Sequence, residues 1–136
     1  MIRVWEFGDW IRQNKNDYIF GLKLDYYPTL FLDFIMTMNQ FIVSLENEIP
    51  PNGISQLLEA LWWEKNGNWT KAHKITQEIH TKDAALVHAY LHRREGDLSN
   101  ANYWYRTAGE SAFSGTTDEE WESLADNFLS HRRRKK

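Results

Sequence analysis

The chain has 136 residues, a length that suits one domain, and a net charge of −3. It contains no cysteine, which excludes disulfides, thiol catalysis and cysteine-ligated metals, and fits a reducing, cytoplasmic setting. Arg132, Arg133, Arg134, Lys135 and Lys136 are all basic, so the rest of the chain is acidic, and an acidic body disfavours a nucleic-acid footprint.

Residues 1–26 hold Trp5, Phe7 and Trp10 at uneven spacing and give no clean stripe, and the start of the chain carries no apolar stretch of the secretory kind. From Pro28 onward, Leu30, Phe31, Phe34, Ile35, Met38, Phe41, Ile42 and Leu45 recur at helical spacing. The spacing predicts one long helix over 28–47, stopped by Pro50 and Pro51. Asp33, Asn39 and Gln40 interrupt it, which leaves it short of the ~20 apolar residues a membrane span needs.

A second helix is expected over 53–66, with Ile54, Leu57, Leu58, Leu61 and Trp62 on one face. Gly67 sits where a left-handed helix end belongs, and Asn68 caps a helix over 69–79. The logic then repeats: a helix over 82–95 carries Leu86, Val87, Tyr90 and Leu91, Gly96 ends it, Asp97 caps, and a helix runs to Ala108. Residues 109–116 have loop composition. Thr117 and Glu120 read as a capping box that opens a last helix, with Trp121, Leu124, Ala125, Phe128 and Leu129 on its apolar face. Residues 1–130 are expected to form one all-α domain, with 131–136 a basic, disordered tail.

Two segments match at an offset of 29 residues: GNWTKAHKITQEI from Gly67 and GDLSNANYWYRTA from Gly96. The pattern of glycine, capping residue and helix marks stacked helix hairpins. Gly96, Asp97, Leu98, Ala101, Tyr105 and Ala108 resemble the second helix of a tetratricopeptide hairpin at six places. Gly67, Asn68, Trp69 and Ala72 fit the same pattern, whereas Thr76 and Ile79 depart from it. In the first helices Ala60, Ala89 and Trp63 fit, while Glu59, His88 and His92 replace the usual apolar or aromatic residues. The period is also shorter than the family's ~34 residues. The segments ALWW, GNW-x-x-AH, VHAYLHR-x-EGDLSNA and YWY-x-x-AG, between Ala60 and Gly109, further resemble a group of small bacterial proteins of unassigned function. These resemblances imply two stacked tetratricopeptide-like hairpins, flanked by the N-terminal helix and a C-terminal capping helix. They also imply a protein-binding scaffold with no known substrate; no cofactor is expected.

Several residues suggest chemistry. His88 and His92 are four apart and share a helix face, a spacing that can hold a metal, with Glu95 or His73 as a third ligand. The glutamate beside the first histidine that metalloproteases use is missing. The repeat makes Glu59 equivalent to His88 and Trp63 to His92. It predicts that each pair meets across stacked helices, with Glu59 raising the pKa of His88. His73 and His80 share a face and are expected at an interhelical contact and a helix end. Tyr103, Trp104 and Tyr105 fan out by ~100° each. With Trp63, His88, His92 and Arg106 they make the expected binding surface, since Tyr and Arg are enriched in binding hot spots. Arg93, Arg94 and Arg106 form either an anion patch or ion pairs.

The favoured functional expectation is a small non-enzymatic interaction protein that binds a protein, a peptide or a second copy of itself. The alternative is a metal-binding protein or hydrolase centred on His88, His92 and Glu95.

Overall fold

The structure is a computed structural model and describes residues 18–19, 22–23 and 36–134. Its contacts divide the chain into two compact units, Met1–Gly53 and Ile54–Lys136, where the sequence reading has one domain over 1–130. The first unit holds a two-residue antiparallel ladder, β1 (Tyr18–Ile19) and β2 (Leu22–Lys23), with Tyr18 opposite Lys23. It also holds α1 (Met38–Ser44).

The sequence predicts a single helix over 28–47, but α1 begins only at Met38. Thr37 is extended, with φ −81° and ψ 163°, and cannot lie inside a helix. It forms a capping box with Gln40: the Thr37 hydroxyl accepts from the Gln40 N–H, and the Gln40 side chain accepts from the Thr37 N–H. Residues 28–35 of the predicted helix lie outside the described residues.

The second unit is all helical among its described residues: α2 (Gln56–Lys65), α3 (Trp69–Gln77), α4 (Lys82–Glu95), α5 (Leu98–Ala108) and α6 (Thr117–Arg134). Ser55, Asn68, Thr81 and Asp97 cap α2 to α5, each side chain accepting from the backbone N–H three residues on. Gly67 and Gly96 take φ of 85° and 91°, the left-handed conformation that ends a helix cheaply only with glycine. The last helix continues through Arg134, past the start of the predicted tail at 131. No helix among the described residues is long and apolar enough to cross a membrane.

Within this unit α2 packs on α3, α3 on α4, and α4 on α5, while α6 lies against α2 and α4. Ala60, Ala72, Ala89 and Ala101 are all essentially buried, and their small side chains let backbones approach. The apolar face of α6 is buried as its spacing predicts. Trp121 also donates its indole N–H to the Leu61 carbonyl at 3.0 Å, pinning α6 to α2.

Two buried carboxylates tie the helices together. Glu64 on α2 accepts from the Tyr90 hydroxyl at 2.5 Å and from Arg94 Nε at 3.1 Å. Glu120 on α6 accepts from the Tyr105 hydroxyl and from Arg93 at 2.7 Å. Burial and the adjacent carboxylates push both tyrosine pKa values well above the usual phenol range. Glu120 is therefore not the capping residue that the sequence suggests. The box lies one residue earlier: the Thr116 N–H donates to Glu119 at 2.8 Å, and the Glu119 N–H donates to the Thr116 hydroxyl at 3.1 Å. Glu120→Ala would strand a buried tyrosine hydroxyl and break a buried ion pair, and should cost about 3 kcal/mol. Glu119→Ala should cost about 1 kcal/mol as a lost cap contact. Urea-unfolding midpoints rank the two, and the reverse order would contradict the assignment.

Candidate metal centre

The histidines meet because three helices converge on them. His88 and His92 lie one turn apart on α4, and both are buried. His73 reaches them from α3, and its Nε2 lies 3.0 Å from the Nε2 of His88. Each of the three offers a ring nitrogen, and these nitrogens all lie within 4.8 Å of one another. Two nitrogens bound at 2.0–2.1 Å to one tetrahedral ion sit roughly 3.3 Å apart. The His73–His88 spacing is already close to that value.

Two indoles enclose the cluster. Trp69, at the start of α3, stacks on His73 with centroids 4.7 Å apart and planes at 11°. Its indole N–H donates to the Leu91 carbonyl on α4 at 2.8 Å, which fixes the ring. From α5, Trp104 stacks on His88 at 4.0 Å and 9°. The His88 and His92 rings are parallel at 5.7 Å, and His73 meets each of them edge-on. These contacts hold the ring orientations with little freedom left.

His92 has a further partner. Its Nδ1 lies 2.7 Å from Oε1 of Glu95, one turn further along α4. A carboxylate on one imidazole nitrogen sets the tautomer and leaves Nε2 as the atom free to bind an ion. Glu95 thus serves His92 from behind, and His73 takes the third place in the group. Asp97 also approaches His92, but its carboxylate accepts from the Asn100 N–H as the cap of α5.

The electrostatics favour the neutral rings of His73 and His88. Burial, then the positive potential of His73 and His92, lowers the pKa of His88 to about 4. Burial, then His92, lowers that of His73, against a smaller opposing pull from Glu95. The expectation that Glu59 raises the pKa of His88 is therefore overturned. Glu59 accepts from the Trp63 indole N–H on its own helix at 3.2 Å, while His88 faces His73 and Trp104. Trp63 packs edge-on against Trp62, and the Lys71 ammonium lies 3.7 Å from its ring centroid. The indole that meets His92 is Trp69, at 5.7 Å.

The cluster opens into a pocket of about 860 Å³, walled by α3, α4 and α5. All three histidines and Trp104 line it, as do His80 and Lys82, whereas Trp63 does not. The aromatic run divides three ways. Tyr103 is 53% exposed, Trp104 covers the histidines, and Tyr105 is buried on Glu120 rather than lying on a surface. Arg106 is exposed on the same helix. Arg93 and Arg94 are committed to Glu120 and Glu64 and make no joint anion patch with Arg106. Sequence reasoning passed over the enclosing role of Trp69, although its place one helical turn before His73 signals a shared face.

Because the folded pKa of His88 lies below its unfolded value of 6.5, folding favours the neutral ring. That stabilisation is complete above pH 6.5 and is lost as pH falls toward about 4, an effect on the order of 3 kcal/mol. Metal-free protein should lose stability between pH 6.5 and 5 in urea titrations, and His88→Gln should flatten that loss; an unchanged slope would refute the assignment. The chain matches no protein-family model, no curated protein and no solved structure, so the chemistry of the centre stands on its own residues.

Proposed function

We propose that this is a small metal-binding helical protein, in which His73, His88 and His92 hold a divalent late first-row metal such as zinc. The observation that carries the reading is the convergence of three ring nitrogens within 4.8 Å. Three further features support it. The cluster has no cysteine and a nitrogen donor set, which suits zinc, copper or nickel rather than magnesium or calcium. Burial holds His73 and His88 in the neutral form a metal requires. Glu95 orients His92 as second-layer carboxylates do in metal sites.

The scaffold we propose for this centre is a pair of tetratricopeptide-like hairpins, α2–α3 and α4–α5, with α6 as a cap. Support comes from the repeat, from the left-handed Gly67 and Gly96, and from the buried alanines at equivalent places. The metal lies between the hairpins, with one ligand from the first and two from the second.

A second reading, a scaffold that binds a protein or peptide, is favoured by one observation. Leu98 and Tyr103 on α5 are exposed, at 60% and 53%. It predicts that a Leu98→Ser, Tyr103→Ser variant keeps metal affinity and loses a partner or self-association.

The metal reading is tested by isothermal titration with zinc in a buffer free of competing chelators. One equivalent should bind, and free zinc at 100-fold over Kd should raise stability by about 2.7 kcal/mol. His73→Ala and His88→Ala should each abolish tight binding. Glu95→Gln should weaken it about 10- to 100-fold, while His80→Ala leaves it unchanged. Zinc affinity that survives both ligand substitutions would refute the site.

A further inference from the structure

The trihistidine centre faces space rather than a fourth ligand. Among the described residues, the donor group contains His73, His88 and His92 and no fourth histidine, aspartate or glutamate. Structural zinc sites are closed by four protein ligands, whereas sites that handle an exogenous molecule keep three and leave one position to water or substrate. Here all three ligands line the pocket of about 860 Å³, far more room than a single water fills.

The charge around that position is also informative. Three imidazole ligands carry no negative charge to compensate a divalent ion, so the pocket side of the ion stays electropositive. Of the two acidic side chains that approach His92 among the described residues, Glu95 lies behind it on Nδ1 and Asp97 caps α5, and neither lines the pocket. Lys82, at the start of α4, does line it. Its partner Glu110, at 2.9 Å in an exposed pair, does not. Thr81 adds a hydroxyl and Gln77 an amide, both able to donate to oxygen, whereas the Thr107 hydroxyl already donates to the Tyr103 carbonyl. The wall thus combines a cation, neutral donors and the metal face.

Resting on the metal reading above, we infer that the bound ion keeps one coordination position open to this pocket and takes a small anion there, an oxyanion such as a carboxylate by the chemistry of the walls. The anion displaces a metal-bound water, which leaves into the pocket; no bond within the anion is broken.

The test uses the full chain loaded with one equivalent of cobalt(II), whose visible spectrum reports its ligands. Azide, and then acetate, is titrated into the loaded protein. Saturable changes in the visible bands are expected with both anions, together with a new charge-transfer band for azide. Lys82→Gln should weaken azide binding roughly two- to fivefold, as the loss of one exposed charge does, while cobalt affinity stays close to that of the unaltered chain. Cobalt that binds at full occupancy but ignores both anions would overturn the open position and leave the trihistidine site standing. Cobalt that fails to bind would overturn both.

Discussion

The fold turns on one constraint: α4 is buried on most of its circumference and yet is rich in polar groups. Ala84, Ala85, Val87, His88, Ala89, Tyr90, Leu91 and His92 are all buried. A polar group removed from water costs several kcal/mol unless it is partnered. Each polar side chain of α4 therefore dictates what a neighbouring helix must supply. Tyr90 and Arg94 demand a carboxylate from α2 and find Glu64. Arg93 demands one from α6 and shares Glu120 with Tyr105 of α5. Among the described residues, no buried side-chain nitrogen or oxygen lacks a partner.

The histidines meet the same demand differently. No carboxylate faces His88; its partners are another imidazole and an indole face. His88 is tolerable there only as the neutral ring, which is why its protonation opposes folding. An ion at the centre of the cluster would give each ring nitrogen a partner stronger than a hydrogen bond and would do so without adding a proton. The energetic weakness of the metal-free cluster and its fitness for metal have one cause: three ring nitrogens within 4.8 Å of one another in a largely buried site.

Much of the architecture was legible because it is written in local chemistry. Gly96 and Asp97 mark a helix end and a helix start, and α4 and α5 follow as read. Where two local signals competed, tertiary demand decided. Thr116 and Thr117 each have a glutamate three residues on; Glu120 was claimed by Tyr105 and Arg93, so the cap fell to Thr116 and Glu119. Apolar spacing ran through Thr37 without notice, although Thr37 and Gln40 carry a capping signature of their own. The repeat placed Glu59 opposite His88 by equivalence of position. The faces differ, however: α4 turns Tyr90 and Arg94 toward α2, and its histidines toward α3 and α5. The spacing of His88 and His92 was visible from the start. The sequence offered Glu95 or His73 for the third place; that His73 and not Glu95 joins the group, with Trp69 and Trp104 enclosing it, depends on how three helices meet, which no local pattern encodes.

The central claim is that these three rings, out of five histidines in the chain, act as one ligand set. Long-range proton–nitrogen NMR of the imidazoles, with and without one equivalent of zinc, addresses it most directly. The account predicts that Nε2 of His73, His88 and His92 all move together to metal-bound shifts, that Nδ1 of His92 stays protonated toward Glu95, and that His80 and His131 are unmoved. Spectra in which the three rings keep their metal-free shifts while His80 or His131 responds would contradict it.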